Sequence, residues 1–231
     1  QLAGRGAQRE PGDQLAHEQA INLLRAVLVG LVAVVVQEHH VEVAAVAQLL
    51  AAELAVGNDG EARGVAVALA ELRAVAKKHG PLAYVQLDAH HDLWDQYNGL
   101  PYNHGTFAKR AIEEGLIDPA KSLQAGQRGS LYGPEDYQVA ADLGIRLVPW
   151  QELRHWTPAE FGAAVAERAG DTPLFFSFDI DFVDPGIAPG TGTPEVGGPS
   201  ADQALDFVRA LKGVNLVGAD VVEVAPQYDG S

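Results

Sequence analysis

The chain has 231 residues and a mass of 24.4 kDa, is 47% hydrophobic and 20% charged, and so reads as a globular domain with one sizeable core rather than a disordered or low-complexity chain. Its 16 basic and 31 acidic groups leave a net charge of −15; that charge repels phosphate backbones and anionic membrane surfaces, which excludes nucleic acid and membrane as expected partners and favours a cationic ligand. The lack of cysteine removes disulfides, thiolate chemistry and sulfur-ligated zinc together.

Residues 1–20 are polar and glycine-containing and read as a loop. The apolar run Ala26–Val36 spans 11 residues, whereas a membrane-spanning helix needs roughly 17–25; it reads as a buried strand or core helix. No signal peptide is expected before it. Apolar spacing permits helices over 41–55 and 65–78. All 16 aromatic residues lie at or after Tyr84, and residues 1–83 carry 7 basic and 9 acidic groups against 9 and 22 in the rest. The two parts differ in character, and a fragment, a processed chain or an N-terminal stretch of different origin is the expectation.

After Gly80 the punctuation sharpens. Leu82–Leu87 is a short apolar run ending at Asp88, as a buried parallel strand reads. Helices are predicted over 106–114 and 134–143, each closed by a glycine, with a strand at 145–149. Thr157-Pro158-Ala159-Glu160 combines an N-cap, an N1 proline and an N3 glutamate, which predicts a helix to about Ala169. Strands follow at 174–178 and 216–224, and Ser200 with Gln203 predicts a helix to Lys212. Alternating strands and helices give an α/β class with a mostly parallel sheet, and 1–231 is read as a single domain.

Two strands end in dense ligand chemistry. The first gives Asp88, His90 and Asp92 at alternate positions, a spacing that points three ligands to one side of an extended backbone. The second gives Asp179 and Asp181. Asp-x-His-x-Asp alone is also what a loop with a helix cap looks like; two such clusters, both at the carboxyl ends of strands where open α/β sheets bind ligands, argue for a site. Four crowded carboxylates repel unless cations lie between them. Oxygen-rich ligation with one imidazole suits Mn²⁺, with Zn²⁺ as the alternative.

These residues resemble the ureohydrolases, the family of arginase and agmatinase. LDAHHD (Leu87–Asp92) is similar to the family's first metal motif, and SFDIDFVDPGIAPGTGTPEVGG (Ser177–Gly198) to its long second motif. WDQYNGLPYNHGTFAKRAIEEGLI (Trp94–Ile117) and QRGSLYGPEDY (Gln127–Tyr137) look more like agmatinase than arginase, and VVEVAPQYD (Val221–Asp229) resembles the segment carrying a substrate-binding glutamate. The similarity covers about 65–231.

The resemblance implies a three-layer αβα fold, arginase-like, apparently incomplete at both ends, since the family continues into a closing helix after the last residues here. It implies two Mn²⁺ ions bridged by Asp88 and Asp179, with Asp92 on the first ion and His90 and Asp181 on the second. His104 would be a proton shuttle at the mouth, Glu223, ending a buried strand, would face the guanidinium, and Thr193 would belong to the same pocket. His91 and Asp184 read as structural. The implied chemistry is agmatinase-like hydrolysis of a guanidino compound to urea and an amine, by a cytoplasmic homo-oligomer, trimer or hexamer, acting on a small cationic substrate. A guanidinobutyrase or other guanidino-acid hydrolase is the alternative.

The family's Gly-Gly-Asp-His motif, whose histidine completes the first metal site, falls near Gly64-Val65, where there is no histidine. His39 and His40 are candidate replacements from upstream. A third expectation is therefore a catalytically impaired, metal-binding fragment whose first site is weakened.

Overall fold

The computed structural model describes residues 67–229. The expected elements of residues 1–55, together with His39, His40 and the segment around Gly64, lie outside the described residues. No helix among the described residues is long and apolar enough to cross a membrane.

Among the described residues the core is a five-stranded, all-parallel sheet. Its strands are β1 (Ala83–Leu87), β2 (Leu123–Ala125), β3 (Arg146–Val148), β4 (Leu174–Asp179) and β5 (Leu216–Val222), in the order β3-β2-β1-β4-β5. Every residue of β1, β2 and β4 is buried, as expected for strands covered on both faces. Alternate residues face opposite layers. Val85, Leu87, Phe176 and Phe178 pack with Phe161, Val165 and Phe207 from α5 (Pro158–Ala169) and α6 (Ala201–Arg209), and with Trp150 from α4 (Trp150–Leu153). Tyr84 and Phe175 face the other way, onto Leu69, Leu72 and Val75 of α1 (Val67–His79), Phe107 and Ala111 of α2 (Phe107–Glu113) and Ala140 of α3 (Glu135–Leu143). The result is the three-layer αβα arrangement.

Local signals explain where the elements stop. Thr157 accepts from the Glu160 N–H and Glu160 answers to the Thr157 N–H, and Ser200 and Gln203 repeat this reciprocal cap on α6; such a cap contributes about 1 kcal/mol. Gly144 ends α3 at φ +88°, a left-handed conformation that favours glycine.

Three expectations are corrected. The helix after Ser200 ends at Arg209 rather than Lys212, its last turn giving way to i→i−3 bonds at Leu211 and Lys212. β2 was not expected; three residues with a glutamine in the middle carry too little apolar pattern to read as a strand. Among the described residues β5 lies at the end of the sheet and is half-buried from Val217 onward, so the strand before Glu223 is not the fully buried one expected.

The strand order matters for function. From β1 the chain steps outward to β2 and β3, then returns past β1 to lay down β4 and β5 on the other side. The carboxyl ends of β1 and β4 therefore flank the switch point, the crevice where open α/β sheets bind their ligands.

Candidate metal centre

Asp88 follows the last residue of β1 and Asp179 is the last residue of β4, at neighbouring positions across the switch point. The segment after Asp88 does not stay extended. Asp88 Oδ1 accepts the His90 N–H at 2.6 Å, and Asp92 adopts φ +53°. Asp88, His90 and Asp92 are thus brought toward one cavity through a tight turn rather than through strand alternation. After Asp179 the chain enters a 3-10 turn, Ile180–Phe182, capped by Asp179 Oδ1 accepting the Asp181 N–H at 2.8 Å. Asp181 returns across the crevice, where its carboxylate accepts the Ala89 N–H at 3.0 Å and lies 2.9 Å from His90 Nδ1.

Asp88, His90 and Asp181 offer donor atoms all within 4.8 Å of one another. Asp92 and Asp179 line the same cavity, of about 590 Å³, with His104, Thr193, Glu195 and Glu223. All eight sequence-predicted site residues therefore border one space, while three of the five expected metal ligands form the tight donor set. Thr193 is turned inward: its hydroxyl donates to Asp181 Oδ2 at 3.1 Å. Glu223 is exposed, just past β5, at φ +59°. His91, buried, accepts the Leu93 N–H at Nδ1 and stacks edge-on against Trp94; burial lowers its pKa to about 4, which keeps it neutral. Asp184 accepts N–H groups from Gly186 and Gly197.

The electrostatics are those of a cation site. Burial first, then the Asp181 charge, raises Asp88 to about 7. Burial and neighbouring carboxylates also push Asp92 and Asp179 well above the usual carboxylate range. His90 goes the other way: burial lowers its pKa, but hydrogen bonds and charge from Asp181 and Asp88 outweigh it and raise the group to about 11. Asp181 is held low, since His90 and the Ala89 N–H more than offset its burial. Without another cation, an imidazolium is the counter-ion to a buried nest of carboxyl groups. Buried oxygen donors with one imidazole are a set that Mn²⁺ satisfies, so the residues fit the implied metal.

Two features were not foreseen. A glutamine pair lies beneath the site: Gln86 Nε2 donates to Asp88 and Asp92, while Gln124 Nε2 donates to Gln86 Oε1 and the His91 carbonyl. Polar residues inside two fully buried strands were the available signal. The second feature is the loop after β2. Arg128 and Gly129 both donate main-chain N–H groups to the Ala89 carbonyl at 2.9 Å, and the Arg128 guanidinium donates to the carbonyls of Asp181 and Glu195.

The mouth is built by the excursion between β1 and α2. Asn98 and Gly99, at φ +52° and +79°, make the tight turn between Tyr97 and Leu100. Asn103 pins the return, donating to the Tyr97 carbonyl and accepting the Gly105 N–H. His104 sits between these anchors, its ring 5.0 Å from that of Tyr97. Trp94 stacks on Tyr97 and touches Tyr132, giving the cavity an aromatic wall.

The sequence profile of the Arginase family matches residues 29–231. The chain belongs to the arginase family. Mitochondrial agmatinase of Gallus gallus is 47% identical over 160 residues, 69% of this chain and 47% of that protein. A guanidinopropionase of Pseudomonas aeruginosa is likewise 47% identical, over 164 residues, 71% of this chain and 51% of that protein. The structure of proclavaminate amidino hydrolase from Streptomyces clavuligerus superposes with a TM-score of 0.66 at 43% identity, covering 71% of this chain and 54% of that one. The chain thus spans about half the length of the arginase-family relatives it matches.

Proposed function

We infer that this protein hydrolyses a small cationic guanidino compound, agmatine or a close analogue, to urea and an amine at a binuclear Mn²⁺ centre. The observation that carries this reading is that the Asp88, His90 and Asp181 donor set opens into the same cavity as Glu223 and His104. Bound Mn²⁺ would supply Lewis acidity and a water acidified toward neutral pH. Asp88 and Asp179 would hold both ions, Asp92 the first, and His90 and Asp181 the second. Glu223 pairs with the guanidinium and holds its planar carbon over the carboxylates. Water adds to the planar carbon, forming the C–O bond and losing one proton; His104 returns a proton to the departing nitrogen, so that the C–N bond then breaks and urea and the amine leave.

The walls favour a substrate with a cationic or neutral tail. Among the described residues lining the cavity the charged groups are carboxylates and histidines, with no lysine or arginine to receive a substrate carboxylate. The equal identity to a guanidinopropionase favours a second reading, a guanidino acid as substrate. The absence of histidine near Gly64 favours a third, a chain that binds metal and turns over poorly.

One experiment separates the three: Mn²⁺ stoichiometry of the full chain, with urea release measured side by side from agmatine, guanidinopropionate and guanidinobutyrate. Two ions and fastest turnover of agmatine are expected. Fastest turnover of an acid selects the second reading, and one weakly held ion without urea selects the third. The active form is proposed to be a trimer or hexamer, which sedimentation velocity checks.

A further inference from the structure

His90 presents its two ring nitrogens to different partners. Nδ1 faces the donor set, 2.9 Å from Asp181 Oδ2 and 3.6 Å from Asp88 Oδ1. Nε2 faces away from it, 3.6 Å from Glu195 Oε1. An imidazole that gives its Nδ1 lone pair to a metal must carry its proton on Nε2, and metal-binding histidines commonly donate that proton to a carboxylate, which fixes tautomer and ring orientation.

Glu195 is held for this task from both ends. Its Oε1 accepts the Ser130 N–H at 3.1 Å, and its main-chain carbonyl accepts from Arg128 Nη2 at 2.7 Å. The same Nη2 donates to the Asp181 carbonyl at 2.8 Å, so one guanidinium ties the ligand Asp181 to the backbone of Glu195. The intervening Gly129 lies flat against the imidazole: a Cβ there would sit 2.5 Å from His90 Cδ2 and 2.6 Å from Nε2. Gln127 Nε2 completes the cradle by donating to the His90 carbonyl at 3.3 Å. Four consecutive residues thus grip His90, its neighbour Ala89 or Glu195.

We propose that Glu195 is the positioning residue of His90, the carboxylate that accepts its Nε2–H and so turns Nδ1 to the metal, with the 127–130 loop as the frame that holds the pair together. This rests on the reading of His90 as a metal ligand.

The test uses the full chain, with Mn²⁺ titrated into metal-free wild type, Glu195→Ala and Glu195→Gln and followed by electron paramagnetic resonance. The alanine variant is expected to lower the affinity for one ion about 10- to 100-fold and leave the other unchanged. Glutamine, whose carbonyl still accepts an N–H, is expected to restore most of the loss. In long-range ¹⁵N spectra of the Mg²⁺-loaded protein, the His90 proton should sit on Nε2 in wild type, and the Nε2 resonance should shift in Glu195→Ala as the hydrogen bond to the carboxylate is lost. Unchanged Mn²⁺ affinity in Glu195→Ala overturns the proposal, as does a rise in KM alone, which would make Glu195 a substrate contact. If wild type binds Mn²⁺ with the expected Glu195 dependence but releases no urea, the proposed reaction falls and this assignment stands. If wild type takes up no Mn²⁺, both fall.

Discussion

The Arg128 guanidinium donates to the main-chain carbonyl of Asp181 at 2.8 Å, across 53 residues of sequence. Asp181 therefore owes its place at the crevice to a neighbouring loop as well as to its own turn. The seat is tight, because a Cβ on Gly198 would fall 2.5 Å from Arg128 Nη2. Replacing Arg128 by methionine keeps the volume of the stem and removes the donors to Asp181, Glu195 and Val196. Loss of these hydrogen bonds should cost about 2–3 kcal/mol, read as a lower urea midpoint at unchanged m-value. Lysine, a single point charge in place of a planar fork, should recover less than half of it.

Gly129 makes a second, sharper prediction. Its Cβ would overlap the His90 ring, and the Ala89 carbonyl 3.1 Å away blocks the obvious retreat. Gly129→Ala should displace the imidazole and weaken Mn²⁺ binding at least tenfold, since a shift of about 1 Å is enough to spoil a site of this kind. The far-ultraviolet circular dichroism should be unchanged, because the position lies in a loop between β2 and α3. Wild-type metal affinity in this variant would show that the ring has room to move.

His104 tests the chemistry separately from the metal. It lines the cavity but makes no hydrogen bond to a proposed ligand, and Asn103 and Gly105 hold its backbone without help from its ring. His104→Ala should lower kcat for urea release by about 10²–10⁴-fold, the usual range for loss of a general acid. Mn²⁺ stoichiometry and affinity should be unaffected. A drop in metal content would move His104 from proton delivery to metal support.

How far the sequence reveals this site depends on the range of the interactions. β1 and β4 are legible because continuous apolar runs end abruptly at Asp88 and near Asp179, and α5 is legible because its reciprocal cap is written within four consecutive residues. The turn that folds Asp92 back at φ +53° is not, since aspartate in that conformation has no local signature here. Nor is the Gln86 and Gln124 pair, whose meaning appears only once β1 and β2 are paired side by side. The Arg128 contact with Glu195 spans 67 residues. The proposed ligands are visible because they cluster in sequence, and their supports are not because they are assembled by the fold.

A last prediction concerns a buried acidic pair away from the proposed metal ligands. Glu71 on α1 faces Asp220 on β5, with Ser177 of β4 and Tyr84 of β1 alongside. The oxygens of Asp220 and Oε2 of Glu71 are buried without a well-formed hydrogen bond. Burial, then the charge of Asp220, raises Glu71 from 4.5 to about 8, and burial raises Asp220 to about 6. Because the folded state holds these protons more tightly than the unfolded chain, it binds more protons between the two pKa values. Stability therefore falls as pH rises through that window, in Glu71's case from about 4.5 to about 8. Glu71→Gln removes the titration and leaves a neutral donor for Asp220. Metal-free wild type and Glu71→Gln should melt at similar temperatures near the acid end of the window. The variant should become progressively more stable than wild type toward its alkaline end. The carboxyl groups of the proposed metal site titrate in both proteins, so their contribution cancels in the difference. A gap between the two melting curves that does not widen with pH would mean that Glu71 ionises normally in the folded protein.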